Sequence, residues 1–137
     1  MKQKIAATGH ENVRAKHTST AEITSDDYLT PAGDCIVGIN ADQTPAEFDS
    51  RFIEACKDHS AQITVTFTVD EKTATINGQG HPDLSFENDR SMVCRTSDYV
   101  DDRTIMVNAD KAAADLPREM IDRLSEGGEL SVEIEVE

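Results

Sequence analysis

The side chains able to do chemistry beyond that of simple carboxylates are few, and they collect around two short apolar runs. His10, His17, Cys35 and His81 offer the imidazole and thiolate ligands that suit zinc. No Cys-x-x-Cys or His-x-x-x-His pair fixes a coordination geometry, and a cysteine in an apolar run commonly serves as a small hydrophobe, so zinc stands as an alternative reading. Cys35 is also a candidate nucleophile, with a histidine as base and Asp34 as its orienter. Neighbours on a strand point to opposite faces, so Asp34 and Cys35 reach one histidine only if the turn rotates them. Asp34 reads more simply as a turn carboxylate accepting backbone N–H bonds, and His17 as a hydrogen-bonded histidine on an apolar face.

Arg95, Arg103 and Lys111 point to an anion site. Arg95 and Arg103 lie in or beside apolar strands, where an unpaired guanidinium is costly, so each needs a partner. Glu22, Asp34 and Asp102 would satisfy them within the fold. A ligand carboxylate or phosphate would do so in a pocket, helped by N–H donors at the start of a nearby helix. The candidate ligand-binding set is His10, Asn12, Asp34, His81, Arg95, Arg103 and Lys111, polar residues around the two apolar runs. There is no glycine-rich phosphate loop or dinucleotide fingerprint, and catalytic residues are left unassigned.

The elements that must position these groups come in two similar series. Lys4–Ala7, Val13–His17 and Thr20–Thr24 read as strands, and Cys35–Ile39, apolar on both faces, reads as an interior strand. Thr44-Pro45-Ala46-Glu47 fits a capping box with proline at the first helical position, opening a helix to about Lys57. Ile63–Val69 alternates cleanly. In the second series Thr73–Ile76, Leu84–Phe86, Met92–Thr96 and Thr104–Val107 read as strands, followed by a helix through Leu116, Met120, Ile121 and Leu124 with Asp115 as cap and Gly127-Gly128 as stop. Leu130–Val136 is the last strand.

Asn40-Ala41-Asp42 returns as Asn108-Ala109-Asp110. Gly80 minus Gly9 and Tyr99 minus Tyr28 are both 71, while Asn108 minus Asn40 is 68, so three residues are missing from the second series near Pro31-Ala32-Gly33. This predicts one β-rich α+β domain over residues 1–137, internally duplicated as strand-strand-strand-helix-strand twice, with halves 1–69 and 70–137. Each strand-helix-strand passage is expected to join parallel strands by a right-handed crossover. About a pseudo-twofold, such halves would close into a barrel capped by two helices or lie as two sheets. Gly33-Asp34 resembles the Gly-Asp box of cradle-loop barrels, which favours the barrel.

With 27 acidic and 13 basic residues, the formal charge of −14 argues against nucleic acid and anionic membranes. Acids spread along the whole chain, with lysine scarce, predict an acidic surface and a halophilic source. Three cysteines without paired spacing, and no apolar leader or membrane-length run, predict a cytoplasmic protein. The run Gly9-His10-Glu11-Asn12-Val13, His17, Thr20, Glu22-Ile23-Thr24, Leu29-Thr30 and Gly33-Asp34-Cys35-Ile36, with Arg103-Thr104 and Ala109-Asp110-Lys111-Ala112-Ala113, resembles an archaeal family of unknown function, numbered 371. The resemblance implies an archaeal source and no particular activity. The leading expectation is a protein or small enzyme binding an anionic metabolite at the pseudo-twofold. A structural or interaction module, such as a homodimer, is the competing class.

Overall fold

The computed structural model describes residues 1–137. Its strands are β1 (Lys2–Thr8), β2 (Thr20–Thr24), β3 (Ile36–Gly38), β4 (Gln62–Val69), β5 (Lys72–Gln79), β6 (Ser91–Arg95), β7 (Thr104–Met106) and β8 (Glu129–Val136). Two helices, α1 (Ser50–Cys56) and α2 (Arg118–Ser125), each follow a short 3-10 turn, Pro45–Glu47 and Ala113–Asp115. The protein is therefore α+β and mostly strand. No helix is long and apolar enough to cross a membrane.

The strands form two four-stranded sheets, ordered β1-β8-β4-β5 and β3-β2-β6-β7. In the first sheet every pair is antiparallel, and β4 and β8 pair centrally with Phe67 opposite Val132 and Val65 opposite Ile134. Period-2 alternation turns Ile63, Val65, Phe67 and Val69 inward and leaves threonines outside. One cluster of 35 buried apolar residues, drawn from both sheets and both helices, fills the interior. The Phe48, Phe52 and Phe86 rings meet there edge-on or tilted.

Several sequence expectations are corrected. The barrel does not close: the sheets meet at each side through one isolated bridge, Thr8 to Ile39 and Gln79 to Val107. β3 and β7 are three-residue strands, and the left-handed Asn40 (φ 55°) and Asn108 (φ 51°) turn the chain away before a longer ladder forms. These strands are edges and not interior strands; α2 packs against β3 and so adds to its cover. The parallel pairs are β2 with β3 and β6 with β7, joined by loops, whereas the strands flanking each helix lie in different sheets. Segments 13–17 and 84–86 are not strands. Val13, Ala15, Leu84 and Phe86 are buried in alternation, but Ala15 (φ 48°) and Phe86 (φ 53°) are left-handed, which breaks extended geometry. β5 runs on through Asn77 and Gly78 to Gln79 instead of ending at Ile76.

The helices start later than their capping signals suggest. Thr44 N–H does donate to Glu47 Oε1 (3.1 Å), yet this box closes a 3-10 turn. The chain then extends at Phe48 and α1 begins only after Asp49, whose carboxylate accepts from Arg51 N–H (2.8 Å). Likewise Asp115 closes its own turn on Ala112 N–H (2.9 Å), and Pro117 precedes α2.

The Asn-Ala-Asp segments tie the sheets together. Asn40 N–H reaches Asp26 O and Ala41 N–H reaches Thr24 O, while Asp42 N–H reaches Ala6 O. Asn108, Ala109 and Asp110 do the same to Ser97, Arg95 and Asn77. The Asp42 carboxylate accepts Ala6 N–H and the Asp110 carboxylate accepts Asn77 N–H, both at 2.9 Å. Gly9 and Gly80 follow β1 and β5 where those strands pass the helix ends. A Cβ on Gly9 would run into the Leu124 backbone, and one on Gly80 into the Cys56 and Asp58 carbonyls.

Candidate functional site

The polar residues that the fold does gather lie on the β2–β6 face of the second sheet. Ala21, Ile23, Met92 and Cys94 point into the core, so alternation sends Thr20, Glu22 and Thr24, with Ser91, Val93 and Arg95, to the opposite face. The register sets Thr20 opposite Arg95 and Glu22 opposite Val93. Cys35, at the entrance to β3, and Tyr99, Asp101 and Arg103, in the loop before β7, come over this face.

Asp101 is the hub. Its Oδ1 accepts from Thr104 Oγ1 (2.9 Å) and Arg103 N–H (3.0 Å), and its Oδ2 accepts from Arg95 Nη2 (2.9 Å) and, more loosely, Arg103 Nη2 (3.5 Å). Burial pushes this carboxyl up, but the bonds from Thr104, Arg103 and Arg95 outweigh it and hold Asp101 below the usual carboxylate range. Arg95 also donates through Nε to Thr104 Oγ1 (2.8 Å), and its guanidinium lies 4.9 Å from the centre of the Tyr99 ring. Buried, yet bonded through Nε and Nη2, Arg95 reads as a staple holding the loop on the sheet.

The other end of the cluster is looser. Arg103 keeps 41% of its side-chain surface exposed, and its Nη1 stands 3.6 Å from Glu22 Oε1. The Glu22 side chain is only 13% exposed. Burial lifts its carboxyl above the usual range; the Arg103 charge, the Cys35 thiol and Arg95 oppose this, and Asp26 adds to it. Cys35 Sγ donates to Glu22 Oε1 across 3.8 Å. Burial first, then the Glu22 charge, pushes the Cys35 thiol up to about 11. Its partner is a carboxylate and not a histidine, so Cys35 is a protonated donor at neutral pH, which does not suit a nucleophile.

The other sequence candidates are spread over the molecule. His10 Nδ1 accepts Asn12 N–H (3.0 Å), and Asn12 Nδ2 donates to Leu29 O (2.8 Å). His81 Nδ1 accepts Asp83 N–H (3.0 Å), with its ring 4.8 Å from that of His59. Gly9 bonds Gly128 O beyond α2, and His81 N–H bonds Cys56 O at the end of α1, which puts His10 and His81 beside different helices. His17 is partly exposed, not turned into an apolar face, and its Nδ1 accepts Thr20 N–H (3.1 Å). Asp34 works through its backbone, its carbonyl accepting from Lys16 and His17 N–H. Lys111 Nζ donates to Thr75 O (2.8 Å) on the edge of β5. No group of three or more His, Cys, Asp or Glu side chains is placed to hold a metal, so His10, His17, Cys35 and His81 do not form a site together.

Of the seven candidates, then, Arg95 and Arg103 come together through Asp101, and His10 and Asn12 meet only as near neighbours in one turn. Glu22 partners Arg103, as one of the carboxylates weighed for it, and Asp101 takes the part considered for Asp34 and Asp102. Asp101, Thr104 and Tyr99 escaped the sequence reading; a carboxylate at Glu22, between Ala21 and Ile23 in a short strand, was the legible signal. An open groove of about 580 Å³ lies elsewhere, lined by Thr8, Asn40, Asp42, Thr68, Asp70, Glu129 and Ser131 among others, and none of the seven lines it.

The comparisons with known proteins bear on family and not on chemistry. The chain is 45% identical over 130 residues to an uncharacterized protein, MJ0206, of the archaeon Methanocaldococcus jannaschii, a match covering 95% of this chain and 96% of that one. The family model described as "Domain of unknown function (DUF371)" matches residues 5–137. With a relative this similar and a match over nearly its whole length, the chain belongs to the DUF371 family.

Proposed function

We propose that this protein binds a small ligand carrying an oxyanion, a carboxylate or a phosphate, at the Arg103 end of the β2–β6 face. The observation that carries this reading is the gathering of two guanidinium groups, two carboxylates and a thiol there, with Glu22 destabilised as an anion by its own burial. Ionisable groups with shifted equilibria at a surface that solvent reaches are commoner at functional sites than elsewhere. Arg103 is the anchor in this reading, because it is half-exposed and loosely held.

The chain's internal likeness supports the same assignment. We read residues 1–69 and 70–137 as descendants of one unit within a single domain. Residues common to both, such as Asn-Ala-Asp and the glycine after the first strand of each half, then serve the fold. The first half has Thr24, Gly33, Cys35 and Ile36 where the second has Arg95, Asp101, Arg103 and Thr104. The cluster, which draws Glu22 and Cys35 from the first half and the other four from the second, thus has no copy across the two halves, as expected of function laid over a shared frame. The acid excess fits a salt-rich cytoplasm.

A second reading, an interaction module in which the cluster is only a staple, draws on the partners that every candidate cation already holds. Thermal unfolding with millimolar sulfate or oxalate, exchanged for chloride at constant ionic strength so that general screening of the −14 charge does not change, separates the two. Binding to the native state raises the midpoint by mass action, and Arg103→Gln should abolish the rise. An equal rise in that variant, or none in the wild type, would reject the anion site.

A further inference from the structure

The cluster is balanced in charge: Arg95 and Arg103 face Asp101 and Glu22, in ion pairs of 2.9, 3.5 and 3.6 Å. An incoming anion would leave a partly buried group with one negative charge too many, which a low-dielectric setting penalises. One of the three anions must then be neutralised or expelled. Asp101 is the wrong candidate, since four donors hold it ionised. Glu22 has a single guanidinium contact, and its one other side-chain partner is the Cys35 thiol.

We infer that an oxyanion binding on Arg103 displaces the Glu22 carboxylate, which takes up one proton from solvent, so that anion binding and protonation are a single event. This rests on the anion site proposed above and adds its regulation. The atoms balance simply: Arg103 exchanges one carboxylate contact for the ligand's oxygens, and Glu22 gains a proton on a carboxyl oxygen. With a singly charged ligand the cluster keeps its net charge, and with a dianion the proton offsets one of the two added charges. Once Arg103 is taken, Glu22 loses the largest influence opposing its burial and holds the proton more tightly. The charged or titrating groups facing Glu22 are Arg103 and Asp101 from the loop before β7, Arg95 from β6, Asp26 beyond β2 and Cys35 before β3. Cys35 stays protonated throughout, so the uptake falls to Glu22. His17, whose Nδ1 stands 3.0 Å from Thr20 Oγ1 beside the same face, provides a control.

Linkage makes the inference measurable. Where Glu22 is ionised in the free protein and protonated in the complex, affinity should fall by about tenfold for each unit rise in pH. Calorimetric titration of sulfate or oxalate, which do not titrate between pH 5.5 and 8.5, in buffers of different ionisation enthalpy should show uptake approaching one proton per anion. Glu22→Gln should bind with no uptake and with little pH dependence, and His17→Asn should keep the uptake. Binding without proton uptake in the wild type, or unchanged uptake in Glu22→Gln, overturns the coupling and leaves the anion site standing. Absence of any anion binding overturns the site itself. The wild-type measurement decides the matter even if a variant folds poorly.

Discussion

Asp101 joins a buried arginine, a threonine hydroxyl and a loop N–H, so removing its charge strands Arg95 with no counter-ion. Breaking such a pair from one side costs about 3 kcal/mol. Asp101→Asn should lower stability by roughly that amount in chemical unfolding, whereas Asp102→Asn, which removes only an exposed contact to Asn88 at 3.3 Å, should cost little. The pH dependence has a definite sign. Asp101 is held below the usual range in the folded state, so its contribution is complete above the ordinary carboxylate pKa of about 3.9 and is lost as pH falls through the lower folded value. The wild type should therefore lose stability on acidification more steeply than Asp101→Asn. The cysteines follow the same logic with opposite consequence: burial lifts Cys35 to about 11 and Cys56 and Cys94 to about 12. Iodoacetamide, followed by mass spectrometry, should leave all three largely unmodified at pH 7.5 in the native protein. Sequence could flag Arg95 and Arg103 because burying a guanidinium demands a partner. It could not choose between Asp101 and Asp102, because which of two adjacent loop carboxylates turns inward depends on a backbone course set by β6 and β7.

Strand alternation survives translation into structure wherever neighbouring strands enforce it, as in β4 and β8. It misleads at 13–17 and 84–86, where burial alternates but Ala15 and Phe86 take left-handed backbone. Periodicity reports which residues are buried, and extended geometry is only one way to bury every second residue. The capping boxes mislead similarly: they satisfy a turn's N–H groups whether that turn is α or 3-10. The Gly9 and Gly80 positions are a stronger constraint, since β1 and β5 leave their sheet directly against a helix end. Gly80→Ala forces a methyl group into the Cys56 and Asp58 carbonyls, and backbone displaced there moves α1 and Phe52 with it. Overpacking of this kind costs about 1–3 kcal/mol. A loss of that size in the unfolding free energy of Gly80→Ala, read from urea titration, against almost no change for Gly127→Asn, is expected, because Gly127 has open space and a φ of 85° that asparagine tolerates.

The whole molecule carries a formal charge of −14. Self-repulsion at that density opposes compaction and is screened within about 10 Å at 0.1 M salt, and within about 3 Å at 1 M. The thermal midpoint should rise substantially between 0.1 and 1 M potassium chloride; a flat response would mean that the acids are compensated locally. The α+β class and the element order were open to inference from the sequence, because both rest on local hydrophobic pattern. The sheet orders were not, because β3 and β7 are too short for pattern to decide whether they lie centrally or at an edge. That shortness is also why the two sheets touch through single bridges.

The carboxylates of Asp42 and Asp110 and the ammonium of Lys111 sit on the outer borders of β1 and β5, occupying Ala6 N–H, Asn77 N–H and Thr75 O. Those are the backbone groups that a stray strand from another molecule would need in order to extend the sheet. Asp110→Ala should therefore expose a templating border on β5 and speed fibril formation, read by thioflavin fluorescence in acid. Burial raises the Asp110 carboxyl, but bonds from Asn77 more than offset this and hold it below the usual range, so the guard lifts only under strongly acidic conditions. What joins the two sheets thus also keeps the chain from recruiting its own kind.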